Sequence, residues 1–498
     1  MELTELIQSK LHRLEKVIWY LLVLSLPFTS MPAIKTLLGS DSVASPAIVF
    51  LIVLILIMPI KLVKSRQLLI SKKIIPLLLF LSIAVLATLI ALFYKVPAFK
   101  GFDYFRPGLT ALATLVLGVM FFTAASSFPV KADVKKKTLI LINWSGLLIL
   151  IWCLIQAGYW YGSHHYPPWM YKIQGVLSAR ILFRQRVTGF ALEPSWLAHQ
   201  LNMLYLPLWL SATINGYSNH SIKIRKFSFE NLLLIGGVFV LALTLSRVGF
   251  MAFMMMLLLV IILLHNRFVV VVNNWIGKRK GNQFRLSQTV ISFAILFAYF
   301  ILFLIFLVIY SRFDPRMGGF FNINLGLDNP LLRYFNQMKF GDRVIYWLTG
   351  WNIFNRFPVV GTGLGNAGFY FPENIPAYGW SLIEVRKLLY RSDILLNIKS
   401  LWFRLLAETG VIGFSLFIGW LVSLYATLAE KIKSRLPMER TLGFAGVFVL
   451  AGLIFEGMSI DSFAMPYWWV SLGLAVSAID EVALHESQQV EKVYETAG

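Results

Sequence analysis

Apolar segments of about twenty residues recur along this 498-residue chain and constrain its fold more than any other feature. A segment of that length is what an α-helix needs to cross the hydrocarbon core of a bilayer. The sequence therefore predicts an all-α integral membrane protein with about twelve transmembrane helices. The apolar segments lie at 17–33, 47–63, 74–94, 108–128, 137–160, 194–213, 231–246, 248–266, 287–310, 401–428, 440–459 and 463–482.

Composition agrees with this class. The chain is 58% hydrophobic and 14% charged, with a mean hydropathy of +0.72, which is far more apolar than a soluble protein. The first apolar segment is long and has no small-residue cleavage site, so it is expected to remain as a signal anchor. The single cysteine, Cys153, excludes an intramolecular disulfide and most thiolate metal sites. It lies in an apolar segment and is expected to be a packing residue.

The formal net charge of +21 is distributed by topology. Lys and Arg concentrate in alternate short connections, as the positive-inside rule requires when both termini are cytoplasmic. Because the charge follows the membrane in this way, binding to nucleic acid is not expected. The basic connections are 1–16, 61–73, 131–137, 220–226, 267–285 and 431–440.

These connections give the domain organisation. Residues 1–16 have leucines and isoleucine at helical spacing and predict a cytoplasmic amphipathic helix on anionic lipid. The remaining parts are transmembrane helices 1–9 in 17–310 with an outer loop at 161–193, a large helical extracytoplasmic loop at 311–400, transmembrane helices 10–12 in 401–482, and a cytoplasmic tail at 483–498.

Two outer loops break the charge rule. Loop 161–193 and loop 311–400 are rich in arginine although they are predicted to lie outside. A basic outer loop of this length indicates an anionic ligand, because long ordered loops usually bind or catalyse. The candidate ligand-binding residues are Arg184, Arg186, Arg312, Arg343, Lys399 and Arg404.

Arg247 stands between two apolar segments with almost no loop. An arginine at the membrane boundary is unfavourable unless it faces a polar cavity or an anion, so it is a candidate functional residue. The alternative is that its side chain reaches out to the lipid phosphates.

Three other groups could act on a substrate hydroxyl. Glu193 precedes Pro194 at the start of a helix, and it could cap that helix, pair with the nearby arginines or act as a general base. Glu408 follows Arg404 by four residues and could serve as a base or pair with it on one helix face. His199 could share the same cavity, or it could be a buried structural histidine.

Aromatic and glycine residues complete the candidate site. Trp347, Trp351, Tyr370 and Trp402 could stack on sugar rings or mark the membrane interface. The glycine-rich segment 361–366 is a weak nucleotide motif because no β-α-β unit surrounds it. It predicts a tight turn that brings backbone amides near a ligand or the bilayer.

Four segments in this order resemble the O-antigen ligase and O-antigen polymerase (Wzy-type) superfamily, and the resemblance covers about residues 180–415. They are Arg-x-x-Gly-x-x-x-Glu-Pro at 186–194, Thr-Leu-Ser-Arg-x-Gly at 244–249, Asp-Arg followed by Trp, Phe-Pro and Gly-x-Gly-x-Gly-Asn at 342–366, and Leu-Ala-Glu-Thr-Gly-x-x-Gly at 406–413.

The resemblance implies a GT-C-like fold in the bacterial cytoplasmic (inner) membrane, with the active site facing the periplasm or cell exterior. It implies undecaprenyl-diphosphate-linked glycans as substrates, with no cofactor, nucleotide or metal. The expected partners are lipid-linked oligosaccharides, membrane lipids, a chain-length regulator and a flippase. Arg247 and Arg343 match the arginines that hold the lipid diphosphate in that family.

One departure from the family favours a polymerase. Ligases carry His-Asn before the last of these motifs, whereas this chain has Lys399-Ser400. An O-antigen ligase and a protein O-oligosaccharyltransferase remain alternatives within the enzyme class. A multi-span transporter is the alternative of another class, and it is disfavoured because the polar residues gather at the outer boundary rather than at the bilayer midplane.

Overall fold

The computed structural model describes residues 2–39, 45–65, 71–280, 287–313 and 340–477. They form helices joined by short connections, with one two-stranded antiparallel hairpin, β1 (Lys223–Ile224) and β2 (Phe227–Ser228). The helices are α1 (Glu2–Ser25), α2 (Pro32–Leu38), α3 (Pro46–Ser65), α4 (Ile74–Ile90), α5 (Phe105–Ser127), α6 (Ala132–Ser163), α7 (Pro168–Leu177), α8 (Pro194–Gln200), α9 (Leu206–Asn215), α10 (Phe229–Leu243), α11 (Arg247–Lys280), α12 (Gln288–Phe313), α13 (Gly341–Arg356), α14 (Ala367–Asn374), α15 (Ile383–Arg391), α16 (Leu401–Ile432), α17 (Pro437–Glu456) and α18 (Pro466–Val476).

Seven of the described helices are long and apolar enough to span a bilayer, which agrees with an integral membrane protein. Two shorter apolar helices, Pro46–Ile57 and Phe229–Leu243, add to them. The predicted number of about twelve transmembrane helices stays a prediction. The spanning segments are Ile74–Phe93, Phe105–Ser127, Ala132–Ser163, Arg247–Ile276, Gln288–Ile305, Leu401–Ile432 and Pro437–Glu456.

Two of the predicted transmembrane segments are not regular helices over their whole length, and each has a proline at the point where the helix ends or becomes irregular. The predicted amphipathic segment and the start of the first apolar segment form one helix, α1, which ends at Ser25. Pro27 follows, and the residue before a proline avoids the helical conformation. The segment 194–213 is helical but contains a π-turn at Leu201–Tyr205, where the Leu206 amide bonds the Leu201 carbonyl. Pro207 lacks the amide that a regular helix would use there.

The predicted tail 483–498 and residues 314–339 of the large loop lie outside the described residues.

Close packing of α18 against α5 fixes the centre of the bundle. A Cβ at Gly118 would lie 2.4 Å from the ring of Trp469, so only glycine fits there. Trp469 in turn stacks on Trp468, with ring centroids 3.7 Å apart. Small residues that let helices approach closely are the usual means of association between membrane helices.

A break within α16 attaches the large loop to the bundle. Gly410 has φ 62° and ψ −168°, a conformation that only glycine adopts easily, and a Cβ there would lie 2.2 Å from the Val359 carbonyl oxygen. The break frees the amides of Val411 and Ile412, which donate to the carbonyls of Pro358 (2.8 Å) and Val359 (3.3 Å). The chain after α13 is therefore held against the first turns of α16.

Candidate active site

The candidate site lies where the first turns of α13 and α16 meet the connection between α17 and α18. Ser400 and Leu401 both donate to the Gly457 carbonyl, at 3.1 and 2.7 Å. Arg343 reaches the same connection at Ser459, and Arg404 reaches it at Asp461. Residues far apart in the sequence thus converge on one end of the bundle.

The Arg343 side chain is half-buried, and among the described residues its one hydrogen bond goes to a backbone group. Its Nη1 donates to the Ser459 carbonyl at 3.1 Å, and no carboxylate of the described residues lies within 4.0 Å of it. Burial lowers the pKa of the guanidinium, while the more distant carboxylates of Glu384, Asp461 and Glu193 act in the opposite direction. The site therefore contains a positive charge that lacks a direct counter-ion among the described residues.

Arg247 contacts Phe340, which lies three residues before Arg343. Arg247 is the first residue of α11, and its guanidinium carbon lies 5.7 Å from the ring centroid of Phe340, in addition to other contacts. The Phe340 carbonyl accepts a hydrogen bond from the Arg343 amide at 3.1 Å. The contact with Phe340 therefore brings the start of α11 to the start of α13, the helix that carries Arg343.

Glu193 occupies the N-cap position of α8, but its side chain makes no capping hydrogen bond. It accepts from Arg180 Nη1 at 2.5 Å and from Ser195 Oγ at 3.4 Å, and its side chain is 34% exposed. Of the three roles considered for Glu193, the structure shows the pairing with an arginine. Its charge also acts on Arg343, which places it near the cationic part of the site.

Arg404 and Glu408 form the ion pair that their four-residue spacing allows. Arg404 Nε donates to Glu408 Oε2 at 2.8 Å, and its Nη1 donates to the Asp461 carbonyl at 2.6 Å. Both side chains are largely buried, with 12% and 4% exposure. A charge that is compensated in this way serves packing first, because breaking a buried pair leaves one charge unpaired.

Lys399 and Trp347 are engaged by protein groups. Lys399 pairs with Glu384, and its Nζ lies 4.4 Å from the ring centroid of Tyr346. Trp347 stacks on Phe403, with centroids 6.0 Å apart and an interplanar angle of 11°. The buried indole Nε1 of Trp347 has no hydrogen-bond partner among the described residues, so it could donate to a ligand.

The other predicted substrate-binding arginines lie in the connection before α8 and in the last turn of α12. Arg186 donates from Nε to the Thr244 carbonyl at 2.8 Å, which satisfies the end of α10. Arg184 is exposed in the connection before α8, and Arg312 is exposed in the last turn of α12. No contact within the described ranges joins Arg184 or Arg312 to Arg343.

The glycine-rich turn has a different role from the one expected. The Thr362 amide donates to the Ala407 carbonyl at 2.9 Å, and the Leu364 amide donates to Thr88 Oγ1 at 3.1 Å. A Cβ at Gly361 would lie 2.4 Å from the backbone carbon of Glu408. These amides therefore attach the loop to α16 and α4, because protein groups accept their hydrogen bonds.

A buried network behind Arg247 was missed by the sequence reasoning. Glu456 accepts from Asn202 Nδ2 at 2.8 Å and contacts His199 Nδ1 at 3.2 Å, and Asn202 also donates to the Gly249 carbonyl at 2.6 Å. Glu456 and His199 are 2% and 1% exposed. An acid inside the apolar segment 440–459 was the available signal, because such residues are rare at membrane depth.

Comparison with known families gives a match to part of the chain. Residues 232–418 match the family model described as O-antigen ligase, and no protein of curated function matches the chain. The matched region includes Arg247, Arg343, Arg404 and Glu408, whereas Glu193 precedes it. Members of the family are glycosyltransferase-like enzymes that act on glycans. This match supports the O-antigen ligase and polymerase superfamily for the part of the chain that spans residues 232–418.

Proposed function

We propose that the protein is a polysaccharide polymerase. It transfers a growing O-antigen-like or exopolysaccharide chain from undecaprenyl diphosphate to the non-reducing end of the next lipid-linked repeat unit. The observation that carries this proposal is Arg343, a half-buried guanidinium with no direct carboxylate partner among the described residues, on a helix whose start is contacted by Arg247 at Phe340. A diphosphate is the anion that suits such a pair, because a guanidinium fork matches phosphate oxygens.

The chemistry follows from the leaving group. The bond from the anomeric carbon to the diphosphate oxygen breaks, and a bond to the acceptor hydroxyl oxygen forms with inversion. Negative charge grows on the departing diphosphate, where fixed cations in a site shielded from water stabilise it most. Arg343 and Arg247 supply that charge in this proposal, and a metal and a cofactor are not needed.

The acceptor hydroxyl must lose a proton, and Glu193 is the proposed base. Its carboxylate is paired with Arg180 and partly exposed, and its charge acts on Arg343. A base must come within hydrogen-bond reach of the hydroxyl in the complex, which a partly exposed side chain permits. Glu408 is less suited because Arg404 and the surrounding chain enclose it.

An O-antigen ligase, which transfers a finished glycan from its lipid carrier to an acceptor, is the second candidate function. The description of the matched family favours it. Against it stands the position where ligases carry histidine. This chain has Lys399 there, and Glu384 neutralises it. A lysine ammonium in an ion pair cannot accept a proton, so that position does not supply a base.

The proposed function includes a membrane orientation and two partner proteins. The protein spans the bacterial cytoplasmic membrane with both termini inside, and the site faces outward, where lipid-linked repeat units are presented. A flippase would supply these units, and a chain-length regulator would limit the product. The basic segments on alternate connections support this orientation.

The test is the size distribution of the surface glycan in a deletion strain that carries wild type, Arg247→Ala or Arg343→Ala. We expect a ladder of repeat units with wild type and a single repeat with either variant at equal protein level. Arg356→Ala is the matched control, because Arg356 lies at the other end of α13 and pairs with Glu373. Accumulation of full-length lipid-linked chains in the deletion strain would identify a ligase. Unchanged glycans would overturn both and favour transport.

A further inference from the structure

A second charged cavity lies between α9, α11, α16 and α17, away from the candidate active site. Its volume is about 300 Å³. Three basic side chains line one part of it, namely Arg267, Lys433 and Arg440, and no carboxylate is among the described residues that line it. The matched family domain and the proposed reaction give this cavity no role.

Helix geometry places the cavity at the opposite membrane boundary. Arg247 begins α11 in the candidate site, and Arg267 follows on the same helix twenty residues later. Twenty residues of α-helix rise about 30 Å, which is about the thickness of the hydrocarbon core. The other basic residues lie at the end of α16 and the start of α17, where the chain turns back into the bundle.

One of the three cations is held in a fixed position. Arg440 Nε donates to Asn215 Oδ1 at 2.9 Å, and Asn215 Nδ2 donates to the Ser211 carbonyl at 2.9 Å. This chain of bonds orients the guanidinium, and no other side-chain partner of Arg440 is present in the described part of the chain. Its remaining nitrogens can therefore donate to a ligand without first breaking an ion pair.

The neighbouring acid does not compensate this charge. Glu439 precedes Arg440, but its carboxylate is buried and bound by two other lysines. Lys135 Nζ lies 3.1 Å from Glu439 Oε1, and Lys431 Nζ lies 2.6 Å from Glu439 Oε2. With Glu439 already paired twice, the cavity keeps an excess of positive charge.

We propose that this cavity binds the phosphate headgroup of an anionic phospholipid from the leaflet opposite the candidate active site. Basic pockets between transmembrane helices at this depth are suited to such headgroups. The other part of the lining is apolar, with Ile214, Ile432 and Phe444. A free phosphate ion could also bind the basic residues, but it would leave the apolar part of the lining uncovered. The glycerol and first acyl carbons of a lipid would cover that part.

The bound lipid would connect helices that are distant in the sequence. Arg267 lies on α11, Lys433 directly follows α16, and Arg440 lies on α17. A ligand that bridges them stabilises the folded state by its binding free energy, so the effect depends on lipid concentration. This role does not depend on the polymerase reaction, and it can be tested separately.

The test is native mass spectrometry of the full-length protein in detergent, titrated with phosphatidylglycerol. We expect one saturable lipid adduct in wild type. The combined substitution Arg267→Gln, Lys433→Gln and Arg440→Gln should weaken that adduct about a hundredfold, because each basic residue contributes to anionic-lipid binding. The matched control removes the same charge from the hairpin, with Lys223→Gln, Arg225→Gln and Lys226→Gln, and should change binding less than about threefold.

A single variant and two other ligands test whether the loss of binding is specific to the cavity and to an anionic lipid. Arg267→Gln alone affects an exposed side chain and should weaken the adduct about fivefold without altering the fold. Phosphatidylcholine should bind weakly, and inorganic phosphate should compete only at high concentration. The proposal is overturned if the cavity and hairpin variants lose binding equally, if Arg267→Gln and the triple variant both bind as wild type does, or if phosphate alone occupies the site while lipid does not.

Discussion

Helices α13 and α16 bring an arginine to the same end of the bundle, but they hold it differently. On α16, Arg404 donates to Glu408 and to the Asp461 carbonyl. On α13, Arg343 donates only to the Ser459 carbonyl among the described residues. The comparison distinguishes an arginine whose charge is compensated by a carboxylate from one that has no direct carboxylate partner among the described residues, and only the second is a candidate for binding an anionic ligand.

The different surroundings of Arg404 and Arg343 predict different consequences of their loss, one for folding stability and the other for activity. A buried ion pair contributes little net stability, yet loss of one member leaves the other charge unpaired in an apolar environment. We therefore expect the loss of Arg404 to reduce folding stability and the loss of Arg343 to reduce catalysis.

The largest expected effect is that of Arg343→Ala on glycan transfer. Loss of a fixed donor to the departing diphosphate should lower the transfer rate by about 10²–10³-fold. Arg343→Lys keeps the charge but loses the planar fork, so we expect an intermediate rate. Initial rates with a lipid-linked repeat unit, beside thermal unfolding curves, measure both properties. If Arg343→Ala lowers the unfolding temperature as much as Arg404→Ala does, then Arg343 also serves stability, and the proposed difference between the two arginines is wrong.

Arg404→Ala should act mainly on stability. The isolated Glu408 carboxylate is 4% exposed, and loss of its partner should lower the free energy of unfolding by about 3 kcal/mol. The double variant Arg404→Met with Glu408→Leu should recover a large part of that loss, since no charge remains unpaired. Unfolding in mild detergent checks this. If the double variant is less stable than Arg404→Ala, the ion pair is not the cause.

Gly410→Ala tests the break that positions Arg404. The backbone angles and the 2.2 Å approach of a Cβ to the Val359 carbonyl oxygen leave no room for a side chain. We expect a destabilisation of about 2–3 kcal/mol, from the strained backbone and the clash. Gly419→Ala is the control, because a Cβ there meets nothing within 4 Å. Equal unfolding temperatures for the two variants would contradict the role of the break.

Glu456→Gln tests the network behind Arg247. The amide that replaces one carboxylate oxygen cannot accept from both Asn202 and His199, so we expect a loss of about 1–2 kcal/mol. Glu430→Gln removes an exposed carboxylate from α16 and should change stability little. A stable Glu456→Gln variant would show that the carboxylate does not organise this part of the site.

The smallest expected effect concerns pH and Asp342, the neighbour of Arg343. Burial and the nearby Glu384 raise the pKa of Asp342 above its usual 3.8, although Lys399 and Arg343 oppose this. The folded state then binds more protons than the unfolded state between the two pKa values, so stability falls as pH rises through that window. Asp342→Asn should therefore gain stability relative to wild type as pH rises above about 4. A difference in unfolding temperature that does not change with pH would contradict this.

The sequence predicted elements and local pairs better than it predicted the site. Helical apolar segments and the Arg404–Glu408 spacing depend on residues close together in the chain, and the structure shows both. The contact that distinguishes Arg343 joins residues 116 positions apart, so spacing could not reveal it. The break at Gly410 was also hidden, because it depends on amides that bond the loop after α13.

Glu193 and Glu456 show two further limits. Glu193 had three possible roles in the sequence, and its partner Arg180 became visible only in the folded chain. Glu456 was visible as an acid in an apolar segment, but its partners His199 and Asn202 lie on distant helical turns. Polar residues at membrane depth can thus be identified from the sequence, whereas their partners require the fold.

The most direct test of the account uses purified protein in vesicles, supplied with an undecaprenyl-diphosphate-linked repeat unit. Wild type, Arg343→Ala and Arg404→Ala are compared at equal amounts of folded protein, and the products are separated by size. We predict a ladder of glycans for wild type, a ladder of the same spacing for Arg404→Ala, and no product beyond one repeat for Arg343→Ala. A full ladder from Arg343→Ala would contradict the proposal that its uncompensated charge binds the diphosphate.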